Sequence, residues 1–349
     1  MDAERLMGEA ISLAAPTRPH PNPRVGALVL DASGEVAGRG VHAGPGKPHA
    51  EVVALAEAGE RAAGGTLVVT LEPCDHTGRT PPCTATILAA GVARVLVGAV
   101  DPDYRVAGRG LARLRAAGLE VRSGIAGAAA EAVDPGYFHH RRTGRPRVTL
   151  KAALTLDGQA AAADGTSQWI TSLEARADGH RLRAEADAVL VGAGALAADD
   201  PLLTVRLPGY DGPQPRPVVV AGRRPLPPGA RLWERWPLVL SPVPLDGPGE
   251  VVVVPGPDGV DLAAGLAALG ELGLLDLLVE GGPTLAGALV RAGLVDRGVF
   301  YLAARLAGGR GLPGLAGRFA TLAAAREIAI VSAEPVGPDL RVEFAVKEH

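Results

Sequence analysis

Residues 48–51 read Pro-His-Ala-Glu, residues 72–74 Glu-Pro-Cys and residues 81–83 Pro-Pro-Cys. One imidazole (His49) and two thiols (Cys74, Cys83) form a soft-to-borderline ligand set. It suits Zn²⁺ with a fourth position open to water. Glu51 stands two residues past the histidine, where a carboxylate can shuttle protons without binding the metal. Cys74 and Cys83 are the only cysteines, and their spacing fits a metal site in a reducing compartment better than a disulfide. Working outward, residues 25–30 (VGALVL) predict a strand, 31–34 a turn and 35–42 a return strand. A helix opens at His49 and stops at Gly64-Gly65, strand 66–71 (TLVVTL) runs into Glu72-Pro73-Cys74, and a helix spans Cys83 to Gly91. Strand 94–100, helix 110–117 and strand 119–122 complete an alternating strand–helix unit. Both half-motifs then lie at helix N-termini, where partial positive charge favours thiolate over thiol.

A chain of 349 residues is long for one core and comfortable for two domains. Apolar residues make up 47% and aromatics only 3%, so packing must rest on Ala, Leu and Val. The net charge of -3 argues against a nucleic-acid partner held by a broad basic surface. It still admits a small phosphorylated ligand held by one or two local Arg or Lys side chains. The N-terminus lacks a basic region followed by an apolar core, and no apolar run reaches membrane-spanning length. The expectation is a cytoplasmic protein that engages no membrane.

Residues 138–146 (FHHRRTGRP) read as a solvated linker face, which sets a boundary near residue 145 and two domains, 1–145 and 146–349. The second half predicts strands at 147–153, 187–191, 217–221, 251–254, 275–279 and 296–302, with helices at 173–185, 262–272 and 284–292. That is a second α/β sheet, with its ligand crevice at the strand C-terminal ends. Lys151 interrupts an apolar strand, where an ammonium is costly unless paired. Asp199-Asp200 ends a loop beyond strand 187–191. Glu280-Gly281-Gly282 precedes a helix, and adjacent glycines there let backbone N–H groups approach a phosphate, although simple turn geometry explains them equally well.

A His-x-Glu segment followed by Pro-Cys and a second Cys is the pattern of zinc deaminases of nucleobases and related rings. The commonest spacing is Pro-Cys-x-x-Cys. Here eight residues, Asp75 to Pro82, separate the thiols. The runs HAGPGKPHAE (42–51), EPCDHTGRTPPC (72–83) and RVAGRG (105–110) resemble the deaminase half of the bifunctional riboflavin-biosynthesis deaminase–reductase family. VTLKAALTLDGQ (148–159), SQWIT (167–171), ADDPLLTVR (198–206) and EGGPT (280–284) resemble its reductase half. Only residues 223–275 match with low specificity.

The resemblance implies a cytidine-deaminase-like α/β/α domain followed by a dihydrofolate-reductase-like α/β domain that uses NADPH. The substrate it implies is a diaminopyrimidinone carrying a ribosylamino 5′-phosphate, first deaminated and then reduced at the sugar. Glu51 would be the general base and acid, with Asn22, His42, His76 and Arg79 around the deaminase substrate. Lys151, Ser167, Arg183, Leu203, Arg206 and Glu280 would meet the reductase substrate, Arg183 and Arg206 at its phosphate. Ala153, Trp169, Ala195, Asp199, Gly281, Gly282, Pro283 and Thr284 would lie along the cofactor, and Asp199 or Lys151 would steer protons. Arg223 or Arg224 would pair with the cofactor 2′-phosphate or lie on the surface. Departures from the family pattern are Asp75 in place of Ser, Asp103 in place of Asn, and Ala195 in place of Thr. Exposed Ala, Leu and Val surfaces on the second sheet suggest a homodimer. Two alternatives stay open. One is a nucleoside or base deaminase with a binding-only C-terminal domain. The other is a structural zinc clip, disfavoured because structural zinc normally has four protein ligands.

Overall fold

A computed structural model describes residues 2–77, 81–222, 225–247, 249–257, 259–317 and 319–347. The chain forms two compact units, Met1–Gly144 and Arg145–His349. Among the described residues no helix is long and apolar enough to cross a membrane.

In the first unit, strands β1 (Gly26–Leu30), β2 (Val36–Val41), β3 (Thr66–Leu71), β4 (Arg94–Ala99) and β5 (Glu120–Ser123) form one sheet in the order β2-β1-β3-β4-β5. β1 is antiparallel to β2 and β3, whereas β3, β4 and β5 are parallel. Continuous burial of β1 and β3 is what a strand covered on both faces requires. Helix α1 (Ala3–Ala14) sends Leu6, Met7 and Ala10 onto Leu28, Leu30, Val68 and Leu96. Helix α2 (Ala50–Ala58) lies against β2 so closely that a Cβ at Gly38 or Gly40 would come 2.2 or 2.1 Å from the carbonyls of Ala54 or Ala50. Glycine at these alternate positions lets the helix press its first turn, with His49 as N-cap, onto the sheet. Helices α3 (Cys83–Ala89) and α4 (Arg109–Ala116) follow β3 and β4.

The stretch expected to be a linker face, 138–146, is instead largely the second half of a helix, α6 (Pro135–Thr143), which follows a short α5 (Gly127–Glu131). Asp134 caps α6 by accepting from the Tyr137 N–H, and Pro135 occupies its first turn. Tyr137 and Phe138 are buried, and the Arg141 and Arg142 guanidiniums stand 4.9 and 5.4 Å from their ring centres. With one aromatic pair as its whole apolar face, α6 is too short for its periodicity to show among the histidines and arginines.

In the second unit nine strands form one sheet, ordered Glu250–Val253, Leu238–Ser241, Arg216–Val220, Ala188–Gly192, Asp276–Val279, Arg147–Thr155, Arg297–Ala303, Asp339–Val346 and Ile328–Val336. The first seven are mutually parallel, and the last two close the sheet as an antiparallel hairpin. Alternation along one strand feeds two cores: Ala188 and Leu190 join one, Val189 and Val191 the other. Besides several very short strands and single-turn helices, larger elements stand outside the expected set. Leu238–Ser241 is four residues between prolines, Ala193–Asp199 is a helix in place of the expected loop, and the hairpin follows the last expected strand. Gly192 and Gly194 at the start of the Ala193–Asp199 helix read as turn residues when taken alone.

Candidate active sites

Fold geometry brings the first constellation together at one end of the parallel strands. His49 caps α2, Cys74 follows β3 and Cys83 is the first residue of α3. His49 Nδ1 lies 3.1 Å from Cys83 Sγ and 3.6 Å from Cys74 Sγ, and the Cys83 N–H donates to Cys74 Sγ over 3.4 Å. All three donor atoms lie within 4.8 Å of one another, and among the described residues no fourth ligand joins the cluster. A tetrahedral zinc with bonds of about 2.0 Å to N and 2.3 Å to S needs donor separations of roughly 3.5 Å. The three residues fit such an ion and leave one position for water. Hydrogen bonds from Cys83 and from His49 hold the Cys74 thiol down, to about 4, while Cys83, sharing the same site, is pushed up. Glu51 is buried, and that burial pushes its carboxyl up, opposed by His49.

His42 packs edge-on against His49, with ring centres 5.1 Å apart. Its Nδ1 lies 3.0 Å from the Pro48 carbonyl, which can only accept, so Nε2 carries the lone pair. The Asn22 amide nitrogen, 2.9 Å away, donates to it. Burial pushes the His42 pKa down and keeps the ring neutral. His76 is exposed just beyond Cys74, and Arg79 falls outside the described residues.

Asp75 accepts from Thr84 Oγ1 at 2.5 Å and pairs with Arg113 Nε at 3.2 Å, tying the metal turn to α3 and α4. Asp103 accepts from the Arg105 N–H and from its guanidinium at 3.0, 2.9 and 2.5 Å, which holds its carboxyl down to about 2. An Asn there would form a weaker clamp. One residue without an expected role organises this end of the sheet. Glu72, buried, accepts the backbone N–H groups of Asp101, Gly108, Gly110 and Leu111 at 2.9–3.4 Å. Its sequence signal is a carboxylate directly after a strand rich in Leu and Val, where it must be satisfied.

The second constellation surrounds Glu280, at the end of strand Asp276–Val279. Arg183 grips its carboxylate through Nε (2.6 Å) and NH2 (3.0 Å), and Lys151 Nζ stands 3.7 Å away. The partner that Lys151 required is thus present, and the ammonium also lies 6.0 Å from the Tyr301 ring centre. Arg183 donates further to the Thr204 carbonyl at 2.8 Å. Arg206 is exposed beside Thr204, and its N–H meets His180 Nδ1 at 3.3 Å. Burial, with Arg183 and Arg206 nearby, pushes His180 down to about 4. Leu203 is buried with a left-handed backbone, φ +54°.

Ala153 is half-buried on its strand, and Ala195 packs against the core. Asp199 is exposed at the end of its helix, with no hydrogen-bond partner among the described residues. Ser167 is half-buried, while Trp169 is exposed beneath the Arg176 guanidinium, 4.4 Å from its ring centre. Gly281 touches the Leu285 side chain where a Cβ would fall 2.8 Å from it, and Gly282, the N-cap of helix Pro283–Arg291, faces open space. Pro283 and the exposed Thr284 start that helix. Arg223 and Arg224 lie outside the described residues.

Known proteins match both units of the chain. The family described as cytidine and deoxycytidylate deaminase zinc-binding region matches residues 1–99, and the RibD C-terminal domain matches residues 146–342. The riboflavin biosynthesis protein RibD of Escherichia coli K12 is 41% identical over 97% of this chain and 98% of its own. That of Mycobacterium tuberculosis H37Rv is 43% identical over 94% and 92%. Among solved structures, Acinetobacter baumannii RibD superposes with a TM-score of 0.91 at 34% identity, covering 99% of both chains. The Thermotoga maritima diaminohydroxyphosphoribosylaminopyrimidine deaminase/5-amino-6-(5-phosphoribosylamino)uracil reductase gives 0.89 at 32%, again over 99% of both. With a zinc-binding deaminase unit and a dihydrofolate-reductase-like unit on one polypeptide, the chain belongs to the RibD family of bifunctional deaminase–reductases of riboflavin biosynthesis.

Proposed function

We propose that the first unit deaminates a diaminopyrimidinone bearing a ribosylamino 5′-phosphate and that the second reduces the sugar of the product to a ribityl chain with NADPH. The observation that carries the reading is the meeting of His49, Cys74 and Cys83 with buried Glu51 one helical step away. Zinc held by the three ligands supplies a lowered pKa for water at its open position. Glu51 takes the proton of the attacking water and returns it to the departing amine, so that water enters and ammonia leaves. Asn22, its amide oriented by His42, presents its oxygen to the ring, and His76 and Arg79 flank the bound substrate.

In the second unit NADPH supplies hydride to C1′ of the opened ribosylamino group. Gly282, the N-cap of helix Pro283–Arg291, leaves open space at its N-terminus for cofactor phosphate. Ala153, Trp169, Ala195, Asp199 and residues 281–284 line the cofactor. Lys151, Ser167, Leu203 and Glu280 meet the substrate. Arg183 already commits three donors to Glu280 and Thr204, so Arg206 carries the substrate phosphate while Arg183 shapes the site. Lys151 or Asp199 delivers the proton that accompanies ring opening.

The chain acts in the cytoplasm, where two free thiols at metal spacing stay reduced. It acts as a homodimer joined through the second sheet. Incubation with the diaminopyrimidinone phosphate, with and without NADPH, tests the two-step reading by following ammonia and product mass. Glu51→Gln is expected to lower ammonia release by roughly 10²–10⁴-fold. It should keep zinc bound and leave NADPH oxidation on the deaminated substrate intact. Ammonia release at the native rate from this variant would remove Glu51 from the chemistry.

A further inference from the structure

We infer that Arg235 is a positioning residue of the reductase site, holding residues 202–204 in the strained backbone that presents Leu203 and Arg206. The inference rests on the reading that these two residues face the substrate. Leu203 is a large, non-glycine residue at φ +54° and is only 1% exposed. A left-handed backbone in such a residue persists only where the surroundings over-determine it.

Guanidiniums hold the carbonyls on either side of it. Arg235 NH1 donates to the Leu202 carbonyl and Arg183 NH1 to the Thr204 carbonyl, both at 2.8 Å. Arg235 NH2 donates to the Pro215 carbonyl, also at 2.8 Å, which anchors the clamp to the start of strand Arg216–Val220. Next along the chain, the Gln214 side chain holds both the N–H and the carbonyl of Val205. Arg235 ends the single-turn helix Arg231–Arg235, whose Leu232 is buried in the same core as Leu203. These hydrogen bonds go to backbone carbonyls, so its effect on the reaction runs through the segment it holds.

Arg235→Met keeps the apolar stem and removes the donors, whereas Arg235→Lys keeps one. With the deaminated substrate, R235M should raise KM about tenfold, the equivalent of one lost charge-assisted hydrogen bond, with kcat within about twofold. R235K should fall between R235M and the parent, and ammonia release from the first unit should stay at the parent value in both. A purely structural role predicts a different pattern: a lower unfolding temperature, less active enzyme and an unchanged KM. That pattern would overturn the inference. R206Q, measured alongside, separates the two claims. If R206Q raises KM and R235M and R235K do not, the inference fails alone; if none of the three moves KM, the substrate reading of this segment fails with it. Should R235M not accumulate as folded protein, KM of R235K decides.

Discussion

Glu280 sits where burial and charge act in opposite directions. Burial, the largest influence, pushes its carboxyl up, but Lys151 and Arg183 outweigh it and hold the group down to about 2, against an ordinary 4.5. A folded-state pKa below the unfolded value means that the group stabilises the fold above about pH 4.5. That contribution is lost as pH falls through about 2. Glu280→Gln leaves two cations facing a neutral amide and should cost about 3 kcal/mol at neutral pH. The gap between parent and variant should shrink as pH is lowered, because protonation removes the same charge from the parent. Urea unfolding at about pH 7 and about pH 2.5 reads this directly. A gap of equal size at both values would show that Glu280 contributes no paired charge to stability.

At the scale of elements, α4 and the metal turn are a fitted pair. A Cβ on Gly110 would lie 1.9 Å from the Pro73 carbonyl, in the residue before Cys74, and 3.4 Å from the Glu72 carboxylate. Gly110→Ala must therefore displace either the first turn of α4 or the Pro73 peptide, and neither is the end of a flexible side chain. The cost of such overpacking is about 2 kcal/mol. Zinc affinity should fall with it, measured by competition with a chromogenic chelator. Native zinc affinity in G110A would mean that α4 gives way without disturbing the ligands. The glycine was legible only as part of the run RVAGRG, and its reason was not. Chain spacing reveals which residues share a turn, as it did for His49 with Glu51. It does not reveal that Glu72 meets the N–H of Gly110, or that Arg235 meets the Leu202 carbonyl. Those pairings are set by strand order, which one sequence does not encode locally. The same limit hid α6, whose helical character rests on the Asp134 cap and two buried aromatics.

For the whole molecule, the strands with long apolar runs were legible because burial on both faces demands them. The C-terminal hairpin was not, because its outer strand, Ile328–Val336, is largely exposed and lacks the alternation that a half-buried strand shows. That exposure bears on assembly. Among the described residues the outer strand has a sheet neighbour on one side only, so one row of its backbone groups has no ladder partner there. Its first six residues, 328–333, carry no charge and no proline, and Ile328, Ile330 and Val331 are 43%, 67% and 63% exposed. Edge strands that stay monomeric are commonly guarded by charge, proline or brevity. Here the guards, Glu334 and Pro335, come only at the far end. A second copy of the same strand, related by a two-fold axis, would bury these side chains and continue the sheet. Ile330→Lys sets two like charges near that axis and, on an already exposed residue, should change protomer stability by no more than about 0.5 kcal/mol. Sedimentation velocity should find the parent chain dimeric and I330K shifted to monomer, with the unfolding temperature of dilute protein little changed. A parent chain that sediments as a monomer at micromolar concentration, or an I330K dimer as tight as the parent, would move the interface away from this edge.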